Sequence, residues 1–367
     1  MVDAVNKIPL FKVRMSMAAH ESVGAVLKSG YIAEGPKVVA FEQELGKRFE
    51  NDSLVVVNSA TSALHLAMHL IGIGPGDEVI TTAQTCIATN VAILHFGATP
   101  VFVDVDPLTG NICAQDVEDN LTAKTKAIIA VDWGGRPCDY RALRSHGLPV
   151  IEDAAHALGT TYDGGHVAQK GGDYVVFSFQ AIKHLTCGDG GALVVPRDQL
   201  ERARKLRWFG LDRQTKMRFR FAQDVAEVGY KFHLNDIHAA IGLANLPGTE
   251  DALIKHRENA YRLHQALKDC AGITVPKYDA RSSYWLFTIL VNDPIDFIDK
   301  MAEKGIECSP AHTRNDVNTA FQGARKSKKL EGLEHFSKHQ VSIPVGWWLT
   351  QNDIRLIVDA AKWATNS

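Results

Sequence analysis

Seven short apolar runs alternate with helical patterns over the first half of the chain, and this alternation restricts the fold more than any other feature. The runs are Leu54–Val57, Glu78–Thr82, Pro100–Val105, Ala127–Val131, Val150–Asp153, Tyr174–Phe179 and Ala192–Val195. Strands spaced by helices predict a layered α/β domain around a mostly parallel, seven-stranded sheet. Such strands are covered on both faces, so they read as continuous apolar runs. The stretch Leu246-Pro-Gly-Thr249 interrupts the pattern. Beyond it, Glu250–Leu267 reads as a long amphipathic helix leading into a smaller α/β unit. That unit has strands near Tyr284–Val291 and Val341–Ile343, and helices near Ile295–Glu303 and Gln351–Ala364. We expect an N-terminal arm and large domain over residues 1–248 and a small C-terminal domain over 249–367. A chain of 367 residues, 46% of them hydrophobic, is long enough for two cores.

Ligands of a parallel sheet collect at the carboxyl ends of its strands. In the run Val175-Val-Phe-Ser-Phe-Gln-Ala-Ile-Lys-His-Leu-Thr-Cys-Gly-Asp-Gly-Gly191, a strand ends in Ser178 and Lys183 follows five residues later. A lysine held among apolar neighbours is a candidate for a lowered pKa and Schiff-base chemistry; otherwise it is a surface lysine in a strand connection. A second strand ends in Glu152-Asp-Ala-Ala-His156. Asp153 there either faces a cofactor or caps the next helix. Aspartate with lysine is the pair that pyridoxal phosphate (PLP) needs, one for the pyridine nitrogen and one for the aldehyde. A third strand, Leu54–Val57, leads through Asn58-Ser-Ala-Thr-Ser62 into a helix with apolar residues at Leu64, Ala67, Met68 and Ile71. Free N–H groups at that helix start suit an anion, or an ordinary cap. Neither GxxxxGK[ST] nor GxGxxG occurs here.

In order and spacing these segments resemble the DegT/StrS-type sugar-nucleotide aminotransferases, PLP enzymes of fold type I. The resemblance runs from about Gly30 to the C-terminus. It also covers Gly35-Pro36 with Phe41-Glu42, the Val103-Asp-Val-Asp106 strand end, and Gly229-Tyr-Lys-Phe-His-Leu-Asn-Asp-Ile-His-Ala-Ala-Ile-Gly242. It implies that Lys183 carries the cofactor and moves protons, that Asp153 meets the pyridine nitrogen, and that His156 touches the ring hydroxyl. It implies that Ala60, Thr61 and Ser178 hold the phosphate, and that Lys231 reaches a neighbouring subunit's site in a homodimer. The implied substrates are a nucleotide-linked keto-sugar, such as a 4-keto-6-deoxyhexose, and glutamate, in amino-sugar and polysaccharide biosynthesis.

The chain departs from the family pattern at four places. Cys86, within Thr85-Cys-Ile-Ala-Thr89, stands where an aromatic ring usually stacks on the cofactor. Lys231 stands where asparagine is frequent, Phe209-Gly210 where His-Gly is frequent, and Ala60 where glycine is common. Two rivals share the scaffold. A PLP-dependent sugar dehydratase typically has histidine at the Schiff-base position, whereas Lys183 is retained here. A non-catalytic PLP- or sugar-binding regulator usually adds a DNA-binding module or lacks the lysine.

A formal net charge of −2 with interspersed signs implies no nucleic-acid or membrane surface. Cys86, Cys113, Cys138, Cys187, Cys270 and Cys308 are scattered without a CxxC and read as reduced thiols of a cytoplasmic protein. Met1-Val-Asp-Ala-Val-Asn-Lys7 has no apolar leader core, and no apolar run reaches a membrane-spanning length. The fifteen histidines include no HExxH, and His184, His233, His238 and His312 are dispersed, so no metal is expected.

Overall fold

The computed structural model describes residues 7–213 and 222–366. The N-terminal leader reading rests on Met1–Asn6 and lies outside them. Among the described residues eight strands form one sheet. They are β1 (Leu54–Val57), β2 (Glu78–Thr82), β3 (Thr99–Val103), β4 (Thr125–Val131), β5 (Val150–Asp153), β6 (Tyr174–Ser178), β7 (Gly191–Val194) and a late edge strand described below. Val55 and Val57 of β1 pack into the core on one face, Leu54 and Val56 into the core on the other. The same split runs across the sheet, which accounts for its uninterrupted apolar strands.

The principal helices are α1 (Ala18–Ser29), α2 (Pro36–Phe49), α3 (Ala60–Ile71), α4 (Ile87–His95), α5 (Asp236–Asn245), α6 (Thr249–Leu267), α7 (Pro294–Glu303) and α8 (Gln351–Asn366). Several residues of the sequence motifs are explained by helix starts. Pro36 opens α2, where its missing N–H costs nothing. The Asp236 carboxylate accepts from the amides of Gly35, Lys37 and Val38 at 2.9–3.1 Å, so the start of α5 caps the start of α2. A Cβ on Gly35 would lie 2.7 Å from that carboxylate. Glu42 accepts from the amide of Val56 at 2.9 Å and pairs with the buried Arg207, tying α2 to β1.

Three short strands, β8 (Ile273–Thr274), β9 (Phe287–Val291) and β11 (Gln340–Ile343), form a small antiparallel sheet. Its apolar face packs with α6, α7 and α8 around Leu263, Phe297, Met301 and Ile357. Between β9 and β11 the chain returns to the large sheet as β10 (Arg325–Lys326), parallel to β3.

The large sheet therefore has eight strands instead of seven, in the order β1-β7-β6-β5-β4-β2-β3-β10. Strand β7 is antiparallel to both of its neighbours, and the remaining pairs are parallel. A two-residue basic strand has no apolar signature, and tertiary packing alone places it. Strand β3 stops at Val103, not Val105, because Asp104 turns away. Its carboxylate accepts from the amides of Gly332 and Leu333, at the start of the helix Glu331–His339. No described helix is long and apolar enough to cross a membrane.

Candidate active site

The ends of β1, β2, β4, β5 and β6 and the start of β7 converge on one cavity of about 360 Å³. Its lining includes Ala60, Thr61, Cys86, Asp153, His156, Ser178 and Lys183. Of the site residues expected from the sequence, Lys231 alone does not line it. Lys231 is exposed, and its carbonyl accepts from Asn58 Nδ2 at 3.3 Å, beside the turn into α3.

That turn is built as a cap. Ser59 Oγ accepts from the amide of Ser62 at 3.1 Å, and Ser62 Oγ donates to Asn58 Oδ1 at 2.6 Å. The first amides of α3, at Ala60 and Thr61, form the positive end of the helix dipole. Glycine is required beside it at Gly191, where a Cβ would lie 2.7 Å from the nitrogen of Ala60.

Asp153 is buried at the end of β5. Its carboxylate accepts from Thr89 Oγ1 at 2.8 Å and from the amide of Ala155 at 3.1 Å. Burial raises its pKa; Thr89, the Ala155 amide and the nearby Lys183 lower it, and the net direction is up. Lys183 is half-buried. Burial pushes its ammonium down to about 7, against the opposing pull of Asp153 and Cys86. Its Nζ lies 3.5 Å from the ring centroid of Trp285.

His156 is buried, and its Nδ1 has no hydrogen-bond partner. Burial first, and the charge of Lys183 second, keep its imidazole neutral. His312 lowers to about 4 for the same two reasons and stacks near His156, with centroids 5.6 Å apart at 8°.

Thr89, Trp285 and His312 were not singled out from the sequence as site residues. The Thr85–Thr89 stretch carried a signal for the first, since two hydroxyls four residues apart at a helix start can meet, and they do at 3.0 Å. Trp285 falls in the run expected as a strand from Tyr284, whose observed strand begins only at Phe287, and His312 lies in an irregular segment with no periodic signal. A larger cleft of about 720 Å³ between Glu34–Gln43 and Leu200–Arg213 is lined by charges that pair among themselves, such as Arg207 and Arg213 with Glu34. Among the described residues, no three His, Cys, Asp or Glu side chains gather as a metal-ligand set.

A model of the DegT/DnrJ/EryC1/StrS aminotransferase family matches residues 14–362. The chain belongs to this family. The sugar aminotransferase CalS13 from Micromonospora echinospora is 38% identical, with a TM-score of 0.92 over 97% of this chain and 99% of its own. AtS13 from Actinomadura melliaura is 41% identical, with a TM-score of 0.92 over 98% of this chain and 99% of its own. PseC from Helicobacter pylori, an aminotransferase involved in the biosynthesis of pseudoaminic acid, is 25% identical, with a TM-score of 0.90 over 98% of this chain and 100% of its own. The fold is therefore that of PLP fold type I, and the protein is a PLP-dependent aminotransferase whose structural matches include sugar aminotransferases.

The cavity fits that cofactor. It holds a buried carboxylate in want of a cationic partner, a lysine pushed toward its neutral form, a neutral histidine with a free ring nitrogen, and a helix start that suits a phosphate.

Proposed function

We propose that this family member transfers an amino group from glutamate to a nucleotide-linked keto-sugar, such as a 4-keto-6-deoxyhexose. The observation that carries the reading is the meeting of Lys183 and Asp153 in one cavity with the start of α3. Bound PLP supplies an electron sink and a carrier for the amino group.

In this reading the protein's own groups have distinct tasks. Nζ of Lys183, at about 7, is present as both amine and ammonium near neutrality, so it accepts and returns a proton at that atom. Thr89 and the Ala155 amide orient the Asp153 carboxylate, which presents a fixed charge to the ring nitrogen. His156 offers Nδ1 to the ring hydroxyl. The amides of Ala60 and Thr61 and the hydroxyl of Ser178 hold the phosphate, and Cys86 lies beside the ring. Leu64, Val131 and Ile182 line the cavity with apolar surface that excludes water.

Lys231 completes the site of a second copy in a homodimer whose two-fold contact is isologous. Exposed Met17, Tyr31, Ile32, Phe209 and Val228 supply apolar surface for that contact. Residues 1–248 and 249–367 are taken as the two domains, and the cytoplasm as the compartment, in line with six free cysteines.

The test is a panel of keto-sugar nucleotides incubated with the pyridoxamine phosphate (PMP) form of the enzyme, read by mass spectrometry. Gain of an amino group by one sugar nucleotide, with 2-oxoglutarate released when glutamate reloads the enzyme, is expected. Amination of free keto acids alone would overturn the substrate assignment. Mixing Lys183→Ala with Lys231→Ala protomers should restore activity if Lys231 crosses the dimer; a mixed dimer as inactive as its parents places it elsewhere.

A further inference from the structure

Trp285 lies outside the set of groups assigned to the cofactor above, yet the structure holds it with care. Its indole Nε1 donates to the carbonyl of Ile182, the residue before Lys183, at 3.0 Å. Its ring lies 3.5 Å from Lys183 Nζ, stacks on His156 at 4.0 Å and 20°, and stacks on Phe11 at 5.0 Å and 24°. The residue before it, Tyr284, has φ +50°, a left-handed conformation that a tyrosine rarely adopts. Such strain persists only where the surroundings impose it, and it concentrates at functional sites.

The surroundings of Tyr284 do impose it. Its carbonyl bonds to His256 Nδ1 at 2.9 Å, and its amide donates to Ser282 Oγ at 3.1 Å. Ser283 Oγ donates to the carbonyl of His156 at 2.7 Å. Gly135, at φ +94°, lets this segment approach, since a Cβ there would lie 2.1 Å from Ser283 Oγ. The net effect is to aim one indole at the lysine.

Among the described residues, Lys183 Nζ makes no hydrogen bond and no ion pair. An aliphatic neighbour would give its ammonium nothing. A carboxylate in contact would hold it protonated and anchored. A π face lies between these, because it favours the cation electrostatically but offers no lone pair to bind the proton. We propose that Trp285 is a positioning residue for Lys183: its ring seats the lysine amine whenever that amine is not bonded to the cofactor, and its N–H fixes the backbone from which the lysine reaches. This rests on the assignment of Lys183 as the cofactor-linked lysine.

The experiment uses the full-length enzyme in its PMP form, where Lys183 is free. Trp285 is replaced by tryptophans carrying one, two and three ring fluorines, which keep its shape and N–H while weakening the π face. The pH dependence of Lys183 acetylation by trace acetic anhydride, read by peptide mass spectrometry, gives the midpoint. The protonation constant should fall stepwise along the series, by about two- to thirty-fold in all, the range that a cation–π contact supports. Trp285→Leu should reach the far end of that range and Trp285→Phe should fall between. The fluorinated series carries the test by itself if the leucine variant does not fold. An unchanged midpoint across the series would mean that the indole is only packing, and would overturn the proposal. A different result would overturn the underlying site reading: borohydride reduction of the wild-type PLP form that fixes the cofactor to a lysine other than Lys183.

Discussion

Asp153 and Lys183 reach the cavity from the ends of β5 and β6, whereas Trp285 and His312 reach it from irregular segments of the C-terminal part. The first pair is supported by local structure. A strand end sets the backbone, and Thr89 and the Ala155 amide set the carboxylate. The second pair is supported from a distance. Gln84 Nε2 donates to the carbonyl of His312 at 2.8 Å, and Gln340 Nε2 donates to the same oxygen at 3.2 Å. Trp285 depends on the strained Tyr284 and on His256. The contrast suggests a division of labour in which strand ends supply groups that act on the cofactor, and the C-terminal segments hold those groups and shape the remaining space.

That division can be broken most sharply at Lys183. Lys183→Ala should remove the visible absorbance of the lysine-bound cofactor and lower turnover by orders of magnitude, with circular dichroism unchanged. A loss of only a few-fold would end the assignment. Asp153→Asn should retain cofactor but slow the half-reaction with glutamate by at least ~100-fold, measured by stopped-flow absorbance. Near-normal kinetics would reduce Asp153 to a cap.

The C-terminal wall should respond differently. Gln84→Ala removes one of two donors to the His312 carbonyl, which Gln340 still serves, and should cost about 0.5–1.5 kcal/mol of stability in denaturant unfolding. The glutamate half-reaction should stay within a few-fold of wild type. A loss as large as that of Asp153→Asn would erase the distinction between the two regions.

A further expected effect is a pH slope in the cofactor-free protein. In the cofactor-free protein Lys183 titrates near 7 when folded and near 10.5 when unfolded. Between those values the unfolded chain binds a proton that the folded chain does not, so stability rises with pH. The contribution is present above the unfolded value and lost as pH falls through the folded one. Lys183→Met should flatten that part of the profile, and an unchanged slope would show that the lysine is not depressed.

The sequence made the strand-end groups legible for a physical reason. Apolar runs mark strands, a polar residue at the end of such a run is exposed at the carboxyl edge, and parallel topology gathers those edges. All seven strand ends expected for the large sheet agree with the observed ones to within two residues, and β1, β2 and β5 agree at both ends. What stayed hidden was placed by tertiary packing. Arg325–Lys326 has no strand signature, so the eighth strand was missed. Tyr284 and Trp285 read as the beginning of a strand, but β9 begins only at Phe287, because the left-handed Tyr284 takes the chain out of the ladder and turns Trp285 to the cavity. His312 lies in a run without periodicity, and only the fold brings it to His156.

Lys183, five residues beyond the end of β6 and in one cavity with Asp153, is proposed to carry the cofactor. Borohydride reduction of the PLP-loaded wild-type enzyme, followed by proteolysis and peptide mass mapping, tests it directly. The cofactor mass is expected on the peptide containing Lys183 and on no other lysine. Recovery of the label on another lysine, or an unlabelled Lys183 peptide from fully loaded enzyme, would contradict it.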